Sequence, residues 1–294
     1  METKPPEVKK PRSYSEQIAV MRSRGCVVKD EPAAMEFLKR VNYYRLSGYF
    51  FAFLQANDIF SEGVTFERIA SVYAFDQELR TLIMRAVSEV ELSAKSIISF
   101  YHGHRYGALG YMNFSNFSNK HDHERFVAQF ESAKRNNKNS QFVKHHFYKY
   151  EGNFPIWVAT ELFTMSMTSI FYADLETVDK KAIASEYNTD YVHLESWLHS
   201  ASVLRNICAH HGRLYPVRFH QPPKLPRIYV KNTAIGTYSL GRQICMLKLL
   251  FTNWRSEWNN TFVLPLSALM EKHGESVDIQ KMGFPENWEE ILTW

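Results

Sequence analysis

The chain is poor in the residues that mark disulfide-stapled and turn-rich proteins. Its 294 residues include 3 Cys, 12 Gly and 11 Pro. Cys26, Cys208 and Cys245 are odd in number and far apart, which excludes a disulfide framework and a zinc-binding spacing. Such cysteines fit a reducing cytoplasm. The scarcity of Gly and Pro, beside 21 Phe and 16 Tyr, favours helices over a turn-rich β fold.

The chain also lacks long apolar runs. No stretch of about 18 apolar residues occurs, so we expect no membrane-spanning helix. The opening Met-Glu-Thr-Lys-Pro-Pro lacks the apolar centre of a secretory signal. The net charge of +4 is mild, and it allows a polyanionic partner without arguing for one. We therefore expect a cytoplasmic protein with no membrane association.

Apolar residues recur at helical spacing along most of the chain, and no strand pattern or internal repeat occurs. A long amphipathic helix is predicted from Thr65 to about Tyr101. Shorter helices are predicted within 15–25, 32–41, 42–51 and 124–150, and over about 155–172, 190–211 and 240–256. The predicted fold is all-α, a helical bundle. Its predicted regions are an N-terminal helical region (1–60), a helical core (61–260) and a tail that packs on the core (261–294).

The most informative segment is Arg205-Asn206-Ile207-Cys208-Ala209-His210-His211-Gly212. A helix over about 190–211 would place six residues on one apolar stripe: Leu194, Trp197, Leu198, Ala201, Leu204 and Cys208. Arg205 falls inside that stripe, whereas Asn206 and His210 share a neighbouring flank. Gly212 is predicted to cap the end of the helix.

A guanidinium on a core-facing stripe needs a partner, because an unpaired buried charge is very unfavourable. The carboxylates that could supply this partner are those of Glu161, Glu89 and Glu91. Under this interpretation Arg205 is a structural ion-pair member, and His210 and the histidine after it only complement the helix dipole. Spacing alone supports this interpretation and a functional one equally.

The functional interpretation is proton transfer around a phosphate. An always-charged guanidinium can hold a phosphate through paired hydrogen bonds, as Arg205 would. An imidazole titrates near neutral pH and can act as a general acid or base, as His210 would. The concentration of these groups with Asn206 in an otherwise apolar helix makes the segment a candidate ribonuclease centre.

Other segments are weaker candidates. One is a set of basic residues that stands among aromatics: Lys134, Arg135, Lys138, Lys144 and Lys149. Basic residues combined with aromatics are typical of proteins that bind single-stranded RNA. A solvated helix face over core aromatics is nevertheless the better explanation of this set. Arg45, among aromatics, allows the same two interpretations, and packing is favoured. Close histidine pairs occur at His102/His104, His121/His123 and His145/His146, without a Cys or carboxylate pattern to complete a metal site. We expect neither a metal nor a cofactor.

The segment at 205–212 resembles the Arg-x4–6-His signature of HEPN-domain ribonucleases, with Asn following the Arg. The wider pattern is similar to the Abi-like abortive infection family (AbiD/AbiF type), and the matching segments cover nearly the whole chain. They are Asn42-Tyr43-Tyr44-Arg45-Leu46-Ser47-Gly48-Tyr49, Asp76-Gln77-Glu78-Leu79-Arg80, Pro155-Ile156-Trp157 before Glu161, the run from Arg205 to Tyr215, and Gly283-Phe284-Pro285-Glu286-Asn287-Trp288. One departure is Pro216, where a polar residue such as Asn is expected after Leu-Tyr.

This resemblance implies an α-helical HEPN core and metal-independent cleavage of RNA, usually in a homodimer whose two motifs face each other. It also implies a role in defence against phage, and for some relatives an association with a small non-coding RNA. The catalytic residues would be Arg205, Asn206 and His210, with His211 and Glu161 as accessory residues. Two alternatives stay open: a non-catalytic helical protein that binds RNA or a partner, and an antitoxin-like partner or modification target of another protein.

Overall fold

Helices form almost all of the regular secondary structure of the chain. The computed structural model describes residue 8, residues 10–55 and residues 57–294. In these residues no β-strand occurs, and the only β-type pairings are isolated bridges such as Val27 with Thr65 and Phe117 with Leu175. The all-α prediction is therefore confirmed. None of the helices in the described ranges is both long and apolar enough to cross a bilayer.

The chain divides into two units, and the first comprises residues 1–78 and 269–278. Its helices are α1 (Tyr14–Ser23), α2 (Glu31–Arg40), α3 (Tyr43–Ser47) and the first part of α4 (Phe66–Tyr106). Helix α1 begins with a capping box between Ser13 and Glu16, so it starts before the predicted Ser15. The aromatic segment predicted as one helix over 42–51 is instead α3 followed by a 3-10 turn at Phe50–Ala52.

The second unit comprises residues 79–268 and 279–294. It holds the rest of α4 and ten further helices, while one more helix (α14) crosses into the first unit. In chain order they are α5 (His123–Asn136), α6 (Gln141–Tyr150), α7 (Ile156–Ala159), α8 (Met165–Asp174), α9 (Thr177–Ser185), α10 (Tyr191–Ala209), α11 (Arg227–Thr233), α12 (Leu240–Leu250), α13 (Arg255–Trp258), α14 (Leu264–His273) and α15 (Trp288–Leu292). A π-helical turn, Asn259–Val263, joins α13 to α14.

The long helix α4 begins where the sequence predicts, because the Thr65 hydroxyl oxygen accepts a hydrogen bond from the Arg68 N–H at 3.1 Å. It ends at Tyr106, five residues beyond the predicted end. The helix continues through Gly103, where a Cβ atom would lie 3.1 Å from Ile156 Cγ2. Glycine at this position therefore allows a close approach between helices instead of ending one.

The prediction of a single helix over 155–172 is wrong. The structure has α7, then a 3-10 turn at Thr160–Leu162, and then α8. Phe163 is extended, and the Thr164 side chain caps α8 by accepting a hydrogen bond from the Met167 N–H at 3.2 Å. The apolar pattern continues through both segments, so the boundary between α7 and α8 could not be predicted from it.

Helix α10 lies at the centre of the second unit and packs against α8, α9 and α12. Its N-terminus is capped by Asp190, whose carboxylate accepts hydrogen bonds from the N–H groups of Val192 and His193 at 2.9 and 2.8 Å. All six residues of the predicted apolar stripe, from Leu194 to Cys208, are buried. Burial of this stripe orients the helix, so that the side chains on its other flank reach solvent.

Candidate functional site

The site lies at the C-terminal end of α10. The helix ends at Ala209, and the Gly212 N–H returns to the carbonyl of Ile207 at 2.7 Å, while the His211 N–H bonds to the carbonyl of Cys208 at 3.1 Å. This pair of bonds is a Schellman motif. The left-handed residue in it is His211, with φ of 55°, and not Gly212 as the sequence predicts.

Gly212 is needed for a different reason. A Cβ atom at this position would lie 2.8 Å from Ile207 Cγ2 and 3.0 Å from the Ile207 carbonyl oxygen. Only glycine allows the chain to fold back so closely against the last turn of α10. The position of the segment after His210 therefore depends on this residue.

Arg80 of α4 supports the same segment. This buried side chain donates a hydrogen bond from Nη1 to the Gly212 carbonyl oxygen at 3.3 Å. From the sequence alone, Arg80 had no expected role beyond its place in the family pattern. A charged residue between Leu79 and Leu82, inside the apolar face of a long helix, was the feature that could have indicated a buried polar contact.

The three predicted catalytic residues all have some exposure to solvent near the C-terminal end of α10. Asn206 and His210 are exposed, and Arg205 is partly exposed, although Leu204 and Cys208 beside them are buried. Asn206 and His210 reach solvent because they lie on the flank away from the buried stripe, whereas Arg205 lies at the edge of that stripe. The structure thus presents one guanidinium, one amide and one imidazole within the last turns of one helix.

The ion pair expected for Arg205 is not formed with the predicted carboxylates. Glu91 pairs with Lys95 at 2.8 Å, Glu161 is exposed in its 3-10 turn, and Glu89 is exposed on α4. Arg205 lies at the edge of the buried stripe, where a long side chain can keep its charged end in water. No ion pair of the described residues therefore uses this guanidinium.

Asn206 has polar neighbours that sequence reasoning missed. Its Nδ2 donates a hydrogen bond to Ser166 Oγ at 3.5 Å, and Ser166 Oγ lies 2.7 Å from Ser202 Oγ. These serines come from α8 and from the preceding turn of α10. The hydrogen bond between Asn206 and Ser166 was not predictable from their separation in the sequence, because it depends on how α8 packs on α10.

The predicted RNA-binding residues separate into two groups. Arg135, Lys138, Lys144 and Lys149 are exposed on or between α5 and α6. Lys134 is buried, pairs with Glu131 at 2.5 Å, and places its ammonium over the rings of Phe130, Phe147 and Phe154. Lys134 therefore holds α5 and α6 together, which leaves it unsuited to contact a phosphate. Arg45 is exposed on α3, in the first unit.

No group of three or more His, Cys, Asp or Glu in the described ranges is arranged to hold a metal ion. His121 has a carboxylate neighbour that the sequence pattern did not show, since its Nδ1 lies 2.9 Å from Asp174 Oδ2 and its Nε2 lies 3.2 Å from His123 Nδ1. All three cysteines are buried. Burial raises the pKa of the Cys26 and Cys245 thiols to about 11, so neither is a reactive thiolate near neutral pH.

Comparison with known proteins places the chain in a family. A sequence profile described as Abi-like protein matches residues 36–216, which is more than half of the chain. The matched region contains Arg80 and the whole of α10, and it ends at Pro216. No curated protein and no solved structure matches the chain. The chain belongs to the Abi-like protein family.

Proposed function

We propose that this protein is a metal-independent endoribonuclease of the HEPN type that acts as an effector of abortive infection. The observation that carries the proposal is the exposed set at the end of α10, where Arg205, Asn206 and His210 reach solvent from a helix whose opposite face is buried. The Abi-like family is associated with abortive infection. The chemistry of the three side chains and the family association support the same activity.

The proposed reaction is attack of an RNA 2′-hydroxyl on the adjacent phosphorus. The 2′-oxygen forms a bond to phosphorus, the bond to the 5′-oxygen breaks, and the product strand carries a 2′,3′-cyclic phosphate. A base removes the 2′-hydroxyl proton, and an acid gives a proton to the leaving 5′-oxygen. Positioned proton transfer of this kind typically contributes about 10²- to 10⁴-fold in rate.

The residues have distinct roles in this scheme. His210 acts as the general base or acid, and Arg205 holds the scissile phosphate and stabilises the charge that grows on its non-bridging oxygens. Asn206 orients His210 or the phosphate, and its link to Ser166 limits where its amide can point. Glu161 keeps only an accessory role, because no ion pair of the described residues joins it to Arg205.

The scheme requires two proton carriers, whereas each chain supplies one strong candidate. His211 is the neighbouring histidine and is also exposed. A homodimer that brings two copies of His210 to one phosphate supplies the second carrier from the other chain. We therefore propose a dimer as the active form, acting on RNA in the cytoplasm, with a small non-coding RNA as a further candidate partner.

One observation favours a second candidate function, a non-catalytic RNA-binding protein. Catalytic histidines are usually oriented by a third group that hydrogen-bonds the ring. In the described part of the chain, no hydrogen bond orients the His210 ring. Under this alternative, Arg205 and His210 bind RNA without cutting it.

The test is cleavage of labelled RNA by the purified full chain in EDTA, with identification of the product ends. We expect cleavage that leaves 2′,3′-cyclic phosphates. The rate should fall by about 10²- to 10⁴-fold for His210→Ala and by about 10²- to 10³-fold for Arg205→Ala. The matched control is His199→Ala, which removes another exposed histidine of α10 and should leave the rate unchanged. Tight RNA binding without cleavage by the unmodified protein would establish the alternative instead.

A further inference from the structure

Helix α6 presents aromatic rings to solvent. Tyr148 is 95% exposed, and Phe147 is 49% exposed. An almost fully exposed ring on an ordered helix has its face available for stacking on a ligand. The feature lies about 60 residues before the helix end that carries the proposed catalytic groups.

The opposite face of α6 already anchors the helix. Val143 and His146 are buried, and the His146 ring stacks on Phe154 with ring centroids 5.0 Å apart. Phe147 meets the edge of the same Phe154 ring at 5.8 Å. Within the described residues, the Tyr148 ring has no aromatic neighbour. Tyr148 therefore contributes little to the packing that holds α6 in place.

The exposed face is also basic. Lys144 and Tyr148 are four residues apart, so they are neighbours on the helix surface, and Lys149 follows directly. Arg135 and Lys138 are exposed at the end of α5 and in the turn that leads to α6. No carboxylate occurs between Gln141 and Tyr150, and no ion pair in the described part of the chain neutralises these four cations. Lys134, the fifth cation of the segment, is excluded because it is buried.

We infer that this surface, the α6 face (Lys144, Tyr148 and Lys149), binds single-stranded RNA. A base stacks on the free Tyr148 ring, and the two lysine side chains contact the flanking phosphates. An unstacked base can lie on such a ring, whereas the bases of a duplex are already stacked on each other. The inference deepens the proposed function, since it rests on RNA as the substrate and adds that the strand is single.

The experiment measures binding of a short fluorescent 2′-O-methyl RNA to the full chain by anisotropy. This probe has no free 2′-hydroxyl, so it cannot be cut by the proposed reaction, and binding is measured whether or not the protein is a nuclease. Tyr148→Ala should weaken binding by about 5- to 150-fold. Tyr148→Phe keeps the ring and should bind like the unmodified protein. The same sequence as a duplex should bind more weakly and should not respond to Tyr148→Ala.

The basic residues are tested through salt dependence. Each lost phosphate contact to a single strand lowers the slope of log affinity against log salt by about 0.7. The double variant Lys144→Ala/Lys149→Ala should therefore lower the slope by about 1.4, and Lys231→Ala, an exposed lysine of α11, should leave it unchanged. Circular dichroism checks that each variant is folded.

Two results would overturn the inference: single-strand binding that is insensitive to Tyr148→Ala, or a salt slope that the double variant does not change. Failure of the proposed function would give a different result from failure of this inference. If the protein is not a nuclease, the cleavable RNA stays intact, while the 2′-O-methyl probe still binds through the α6 face. Cleavage of RNA by a protein whose probe binding does not respond to Tyr148→Ala would refute the inference and leave the proposed nuclease standing.

Discussion

Two histidines of this protein lie in opposite surroundings. His210 is exposed at the end of α10. His102, on α4, is only 2% exposed and lies among the rings of Tyr106, Phe117 and Phe171. Burial lowers the pKa of His102 to about 4, so that it is neutral near pH 7. The aromatic packing of the second unit, and not residue type, therefore decides which histidine can meet a ligand.

The buried region also carries an energetic disadvantage that the helix end does not. Neither ring nitrogen of His102 makes a well-formed hydrogen bond within the described residues, although the nearby Gly110 backbone favours the protonated ring. An unsatisfied buried polar group is unfavourable by about 1–3 kcal/mol. The polar groups at the end of α10 avoid this, because water can reach them. The comparison therefore predicts that changes in the two regions affect different properties of the protein.

The largest effect is expected for His102→Met. In the unfolded chain this histidine binds a proton below about pH 6.5, but in the folded protein only below about pH 4. Stability is therefore lost as the pH falls between these values, by about 3 kcal/mol, because protons favour the unfolded chain. Asp179 opposes the shift without reversing it. Denaturant unfolding across this pH range should show that loss in the unmodified protein and a smaller one in the variant.

The control for this prediction is His104→Met, which removes an exposed histidine two residues further along α4. Its stability should fall with acid as in the unmodified protein. RNA cleavage by His102→Met should stay normal at neutral pH, whereas His210→Ala should lose cleavage without any change in acid stability. Equal acid sensitivity of His102→Met and the unmodified protein would mean that another group titrates.

The second effect links the core to the helix end. Arg80→Met removes the charged donor to the Gly212 carbonyl, and we expect a loss of about 2 kcal/mol in unfolding free energy. Cleavage should fall too, because the segment after His210 loses its support from α4. Arg80→Lys should restore part of both, and Arg85→Met, at an exposed position of the same helix, should change neither. Normal cleavage by a folded Arg80→Met protein would show that the site does not depend on the support from Arg80.

A smaller effect is expected at the other end of α10. Asp190→Ala removes the N-cap and should lower the unfolding free energy by about 1 kcal/mol. The 19-residue helix is about 28 Å long, so the site should not respond. Thermal unfolding and cleavage well below the melting temperature measure the two properties, and Asp190→Ser, another good cap, should retain stability. A loss of cleavage in parallel with stability would show that the site is less independent than its exposure indicates.

The smallest effect is expected at His211, which has a left-handed backbone. Glycine takes this conformation without strain and alanine does not, so His211→Gly should be more stable than His211→Ala by about 1 kcal/mol. Both variants lack the imidazole, so the difference between them reports backbone strain alone. If His211 is the second proton carrier, both variants lose cleavage despite their different stabilities, and if a partner chain supplies the carrier, His211→Gly keeps it.

Much of the helical architecture was predictable from apolar spacing. The start of α4 at Thr65 and the buried stripe of α10 follow from local patterns of period 3.6 and from a capping residue. The boundary between α7 and α8 was not predictable in this way, because Phe163 continues the apolar pattern while its backbone is extended. Helices α9 and α11 and the helices after about residue 256 were also missed, since short helices depend on packing more than on pattern.

The order and spacing of residues along the chain were enough to predict that the protein is helical, that Arg205, Asn206 and His210 lie near one helix end, and that the family pattern is present. None of these features requires knowledge of which distant segments meet. Which polar groups are usable is a property of the tertiary structure, because burial depends on the side chains that pack from elsewhere in the chain. It buried Lys134 under three phenylalanines, left Tyr148 free, and brought Arg80 to the carbonyl of a glycine 132 residues away.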